Sequence, residues 1–349
     1  MRRIPRPIIW LLAVAAVLLG SMPAPAQSLP DKKEVSEWVT KALDTDILQS
    51  PDASPFHFLA TVRYTFNGKS VDGTYEVNWV APDRYRVEFR MGDVTETDLI
   101  LGDKKYVERN TATMTMLMWS ISSFLFPEHR KPVPSFPRND AVYKLTSIGE
   151  GATRQICAMV GDHKAFENEI CFDATTRDPT SHRIHTLRSA VNGATSIDLT
   201  DYISFGKLRY PQHLFKRFGT EMIYATVEKW EAVEKFDSEL FAPLPNATVW
   251  DWCSTPEVHL PKATQSSSFI SAIMSSTGQG RFPYIGVYKI VGQDGTPKQV
   301  TQLFGSPESA AKEFVNEQRR ERSAVHICNG KPVEYETVVA FFPAILRAQ

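Results

Sequence analysis

Four cysteines and one pair of close histidines are the residues best suited to chemistry in this chain. Cys157, Cys171, Cys253 and Cys328 show no Cys-x-x-Cys spacing, the arrangement that structural zinc sites commonly use. Disulfides are therefore favoured over a metal. The run Ser181-His-Arg-Ile-His185 separates its histidines by three positions. On a strand that spacing puts them on opposite faces, which is wrong for one metal ion, and both are expected at the surface. No Gly-x-Ser-x-Gly elbow, phosphate-cradling glycine loop or His-Glu-x-x-His helix occurs. Acidic residues are scattered on polar faces without an evident pair. The expectation is no catalytic residue, no metal and no cofactor.

The compartment bears on the cysteines. The chain opens Met1-Arg-Arg, runs apolar from Ile8 to Leu19, and reaches Ala24-Pro-Ala26. A basic start, a short apolar core and an Ala-x-Ala site read as a signal peptide over residues 1–26. About a dozen apolar residues fall short of the roughly twenty that a spanning helix needs. An uncleaved inner-membrane anchor is the alternative. Export to the periplasm makes an even cysteine count read as disulfides. Cys157 and Cys171 lie in two strand-like runs, 154–160 and 168–173, joined by a short polar connection, so a hairpin would bring them together. Such a loop contributes roughly 3 kcal/mol by chain entropy. Cys253 paired with Cys328 would clamp a linker to the C-terminal part.

The remaining length of roughly 320 residues suits two domains. Net charge is −1 with Lys and Arg dispersed, which leaves no basic footprint for nucleic acid. In the first domain, residues 28–250, an amphipathic helix (Val35, Trp38, Val39, Leu43) is followed by strict alternation. Phe56, Phe58, Ala60, Val62, Tyr64 and Phe66 share one face, with Tyr75, Val77 and Trp79, then Tyr85, Val87, Phe89 and Met91, on the next two strands. Short turns at Asn67-Gly68, Gly92-Asp93 and Gly102-Asp103 make this an antiparallel meander. Further strands are expected at 142–148, 182–189, 196–205 and 222–233. Residues 113–126, Thr-Met-Thr-Met-Leu-Met-Trp-Ser-Ile-Ser-Ser-Phe-Leu-Phe, are the most apolar stretch after the signal segment. They read as a helix packed on the sheet, with Pro127 to Pro132 stopping it. A sharper reading has Met114, Leu117 and Met118 of this segment, with the inward Phe58 and Trp79, lining a cavity for an acyl chain.

The runs Tyr64-Thr-Phe-Asn-Gly68, Gly73-Thr-Tyr-Glu76, Pro82-Asp-Arg-Tyr-Arg86, Asp201-Tyr-Ile-Ser-Phe-Gly206 with Tyr210-Pro211, and Phe236-Asp-Ser-Glu-Leu-Phe-Ala-Pro243 resemble the lipoprotein-carrier family of LolA. That resemblance implies an open half-barrel over a helix, with an interior that holds lipid.

In the second domain, residues 251–349, the order is strand (Tyr284–Val291), turn at Gly292-Gln-Asp-Gly295, strand (298–304), helix and strand. Ser306 is expected to cap the helix, Pro307 to take its first position and Glu308 to face its positive end. Ala310, Ala311, Phe314 and Val315 form its apolar stripe. After Asn329-Gly-Lys-Pro332, one strand is expected to carry Val333, Tyr335, Val339 and Phe341 on a single face. This order, with its Asp294-Gly295 hairpin, helix and Asn329-Gly-Lys-Pro-Val333 strand, resembles the C-terminal domain of the TonB family over about 282–345, although the Tyr-Pro pair common upstream in that family is replaced by Phe282-Pro283. The resemblance implies a protein-contact module that binds an envelope partner.

The expected fold is thus α+β: an antiparallel half-barrel sheet with packed helices plus a small ββαβ domain. The expected function is a non-catalytic periplasmic adaptor that binds a lipid or acyl chain and serves envelope transport. The alternative is an envelope hydrolase whose site assembles from distant strands.

Overall fold

The computed structural model describes residues 28–45, 48, 53–126, 142–161, 166–186, 195–218, 221–254, 256–259 and 284–341. The expected signal segment, the Pro127–Pro132 stop, Phe282-Pro283 and residues 342–345 lie outside them.

The alternation that starts at Phe56 forms strands. β1 (Phe56–Phe66), β2 (Lys69–Ala81), β3 (Arg84–Met91), β4 (Val94–Leu101) and β5 (Lys104–Arg109) follow one another as a meander. Then come β6 (Val142–Ile148), β7 (Gln155–Val160), β8 (Phe166–Asp173), β9 (Pro179–Thr186), β10 (Thr195–Phe205), β11 (Leu208–Phe218), β12 (Glu221–Ala232) and β13 (Thr248–Asp251). All thirteen join one sheet in the order β13-β5-β4-β3-β2-β1-β12-β11-β10-β9-β8-β7-β6. Its pairings are antiparallel throughout, and β12 closes back on β1. The end strands β13 and β6 do not pair, so the sheet is open. Gly73 on β2 is required by close approach: a Cβ there would fall 1.9 Å from the Arg90 carbonyl oxygen of β3.

β11 was not expected as a strand. Pro211 argues against an interior position because it lacks an N–H. The structure accommodates it because β12 pairs with β11 only from His213 onward, so Pro211 meets a ladder on the β10 side alone. The histidines need a second correction. His182 is buried, not at the surface, because its cross-strand neighbours on β8 and β10 are Ile170 and Leu199. Burial pushes its pKa down to about 4, and Nε2 lies 2.9 Å from Asn168 Oδ1. His185 is half-buried and faces Asp198.

Two helices cover this sheet. Helix α1 (Lys32–Thr45) buries Val35 and Val39 against Val142, Ile156, Val160, Ile170 and Phe172 of β6–β8. Helix α2 (Met116–Leu125) packs on the β1–β3 and β11–β12 region. No helix among the described residues is long and apolar enough to cross a membrane.

The C-terminal part contains β14 (Glu257–His259), β15 (Tyr284–Val291), β16 (Pro297–Ser306), helix α3 (Glu308–Arg320), β17 (Val325–Cys328), β18 (Lys331–Val333) and β19 (Tyr335–Phe341). The expected order of strand, turn, strand, helix and strand is present. Ala310, Ala311, Phe314 and Val315 are the buried stripe of α3, packed on Ile285 and Val287. Two details differ from expectation. Ser306 ends β16 and Pro307 takes the cap position without a side-chain hydrogen bond, because the strand extends up to the helix and leaves no free turn residue. The last expected strand is two strands in different sheets. β18 pairs in the order β14-β17-β18, whereas β19 pairs in β16-β15-β19, so Val333 and Tyr335 do not share a face of one strand. Phe341 falls among side chains outside the described set.

Both expected disulfides are present. Cys157–Cys171 ties the directly opposed residues of β7 and β8. Cys253–Cys328 joins the chain just after β13 to the end of β17.

Candidate functional site

The apolar face of the large sheet is built by period-two alternation. Phe56, Phe58, Ala60, Val62 and Tyr64 of β1 point to it, with Tyr75, Val77 and Trp79 of β2 and Ile223, Ala225 and Val227 of β12. Helix α2 lies on this face and contributes Met118, Ile121 and Leu125, with Phe126 just beyond its end. The helix contains no charged residue, and burial of its apolar surface holds it in place.

Polar contacts fix its position. Thr115 Oγ1 accepts from Met118 N at 3.2 Å, satisfying an orphan donor at the N-terminus. Tyr210 OH donates to the Leu125 carbonyl at 2.8 Å, satisfying an orphan acceptor at the C-terminus. Between them, Ser120 Oγ donates to Glu221 Oε1 at 2.6 Å. The same oxygen accepts from Tyr64 OH at 3.0 Å. Glu221, only 2% exposed, therefore ties α2, β1 and β12 together. A buried carboxylate requires such donors.

All five expected cavity residues come together in this one cluster. Phe58, Trp79 and Met118 are buried within it, while Met114 and Leu117 are half-buried and pack against it. Trp79 stacks on Tyr85 and Phe56, with ring centroids 5.1 and 5.9 Å away, and meets Phe126 edge-on. Its packing is that of a core residue. The half-buried apolar residues that pack against this cluster include Leu117 and Phe124 of α2 and Phe66, Leu199, Ile203 and Phe205 of the sheet, together called the seam. Sequence reasoning missed Ser120, Glu221 and Tyr210, because a buried polar group leaves no periodic signal. Two open grooves lie elsewhere. One of about 580 Å³ is bordered by Val300–Gln302 of β16 and by Lys312 and Arg319 of α3. A smaller one lies beside Trp38, Arg154 and Arg177.

A second polar cluster joins the large sheet to the C-terminal part. Arg109 of β5 gives both terminal nitrogens to Glu336 of β19, at 2.9 and 2.6 Å. Tyr288 of β15 donates to the same carboxylate at 2.9 Å. Arg109 Nε lies 2.6 Å from Glu96 Oε2 but without hydrogen-bond alignment, so the guanidinium favours Glu336 over Glu96. Asp98 and Lys105 pair beside it at 2.9 Å. Burial, reinforced by Asp98, pushes the Glu96 carboxyl up to about 8. Burial also opposes charge on Glu336, but the hydrogen bonds and charge of Arg109 outweigh it and hold this carboxyl below its usual range. The aligned bidentate pair explains why the two carboxylates move in opposite directions.

No protein-family model matches the sequence, and no curated protein matches it. Among solved structures, the chain is similar to a LolA superfamily protein from Nitrosomonas europaea, at 9% identity and TM-score 0.33, over 61% of this chain and 98% of that one. It is similar to the MucA/MucB complex of Pseudomonas aeruginosa at 11% identity and TM-score 0.30, over 89% and 94%. It is also similar to the lipoprotein LppX of Mycobacterium tuberculosis at 12% identity and TM-score 0.25, over 59% and 100%. At TM-scores this low, the likeness decides neither ligand nor partner.

Proposed function

We propose that the protein is a non-catalytic binding module whose α2–sheet seam accepts an apolar chain, a lipid or an acyl group. The single observation that carries this reading is helix α2, uncharged and laid across the apolar face with Met114, Leu117 and Phe124 only half-buried at its margin. A helix held by a few polar contacts at identifiable points can shift to admit a chain, and methionines make an adaptable apolar surface. The C-terminal part, with its ββαβ order like that of the TonB C-terminal domain, is the contact for an envelope protein, and the protein serves envelope transport from the periplasm. Cleavage after Ala26 belongs to the same reading: N-terminal sequencing of the cell-envelope form is expected to begin at Gln27. A form that retains Met1 would favour an anchored protein instead.

Mass spectrometry of an organic extract of the natively purified protein tests the ligand directly, with a stoichiometric lipid expected. Leu117 supplies the mutational test. Leu117→Ala is expected to cost less than the roughly 2–5 kcal/mol of a fully buried leucine, because the side chain is half-buried. Leu117→Trp is expected to weaken uptake of a fluorescent fatty acid while the urea midpoint changes little. Strong destabilisation by Trp, together with no uptake by the wild type, would remove the carrier role and leave an adaptor.

A further inference from the structure

Lys216 lies on the apolar face of the large sheet. It follows Tyr210 and Leu214 in the same parity along β11, both of which are buried in the core. Its opposed neighbours Ile197 on β10 and Ile223 on β12 are both buried, while Lys216 itself is half-buried. Directly opposed residues of an antiparallel pair share a face. Its Nζ lies 5.8 Å from the centre of the Phe124 ring on α2. A lysine at the edge of an apolar region ordinarily carries its charge out to water. This one is withdrawn enough for burial to lower its pKa, with the charge of Glu221 acting in the opposite direction. Among the described residues, no carboxylate comes within ion-pair distance of it. The nearby Glu221 spends Oε1 on Ser120 and Tyr64. Packing alone would be served better by Met or Leu here, since an ammonium in apolar surroundings is costly unless compensated.

We propose that Lys216 is the head-group subsite of the seam, taking the anionic end of a long-chain amphiphile whose hydrocarbon lies along Phe124, Leu199, Ile203 and Phe205. This rests on the apolar-binding reading above and specifies its ligand class. The ammonium replaces the water lost by the anion, and the ion pair forms in a weakly polar setting where it is stronger than in water.

The test uses the full chain at neutral pH, with the fluorescent fatty acid cis-parinaric acid and its uncharged methyl ester as paired probes. The wild type is expected to bind the acid about tenfold or more tightly than the ester, the ratio that one such ion pair supports. Lys216→Met is expected to bind both alike, and Lys216→Arg to keep the preference. Lys216→Gln replaces the Met variant if circular dichroism shows that the latter does not fold. Acetate and inorganic phosphate at the same concentrations are expected not to displace the acid. Equal binding of acid and ester by the wild type, or a preference kept without the cation, would overturn the subsite while leaving apolar binding intact. Displacement by acetate or phosphate would show a simple anion site and overturn it as well. Failure of both probes to bind the wild type would overturn the apolar-binding reading and the subsite together.

Discussion

Replacing Arg109 by Met is expected to lower the unfolding free energy of the full chain by about 3–5 kcal/mol, the cost of leaving a buried charge without its partner. Glu96 and Glu336 are each 6% exposed at the side chain and both contact this one guanidinium. Without it, the Glu336 carboxylate is left in a poorly solvated interface, beside a Glu96 carboxyl that burial already drives towards its protonated form. Urea unfolding measures the loss, and Glu336→Gln in the same chain is expected to recover part of it by removing the stranded charge. A loss below about 1 kcal/mol, the value typical of exposed pairs, would show that water reaches the interface.

The same cluster sets a pH dependence. The Glu96 carboxyl, raised from 4.5 to about 8, binds a proton more firmly in the folded state than in the unfolded one. Stability from this group is complete below 4.5 and is lost as pH rises towards 8, with a slope of at most about 1.4 kcal/mol per pH unit. Glu336 behaves oppositely: its lowered pKa gives a contribution present above 4.5 and lost in acid. Glu96→Gln is therefore expected to flatten the decline between pH 5 and 8 while keeping the acid limb. Parallel curves for the variant and the wild type would assign the decline to other groups.

The second large effect is expected at Trp79. Trp79→Ala is expected to cost about 3–5 kcal/mol, as for other large-to-small changes at buried aromatic rings. The ring is 1% exposed and touches Phe56, Tyr85 and Phe126. Its Nε1–H has no hydrogen-bond partner among the described residues. Trp79→Phe is therefore expected to cost distinctly less, because it keeps an aromatic ring and removes a donor that burial left unpaired. Urea denaturation followed by circular dichroism compares the two. An alanine variant within about 1 kcal/mol of wild type would mean that the ring lines a space instead of filling one.

How much the sequence revealed depends on how local the cause is. β1, β2 and β3 were legible because alternation with one apolar face is written into consecutive residues. The apolar stripe of α3 was legible at helical spacing for the same reason. The Cys157–Cys171 pair was legible because a hairpin brings its two runs together, and the even cysteine count then left Cys253 for Cys328. β11 was not, since Pro211 is a local signal against a strand and its tolerance comes from where β12 begins to pair. The division between β18 and β19 was equally invisible, because it depends on which neighbour each strand finds. The polar side chains that fix the candidate site were the least legible. Glu221 takes its meaning from Ser120, 101 residues away, and Arg109 from Glu336, 227 residues away. No periodicity connects such partners, and burial decides their importance only after the chain has folded.

The Cys253–Cys328 bridge makes the intervening stretch a covalent ring with a sequence separation of 75. A single cut by a protease within that ring cannot divide the protein into two molecules. The severed ends stay joined through sulfur, so the strands that follow Cys328 remain covalently attached to the chain that precedes Cys253. A gel run without reductant would then show one band of unchanged mass, and only thiol treatment would reveal the nick. The attachment of the C-terminal part is thus independent of the integrity of the chain that leads to it.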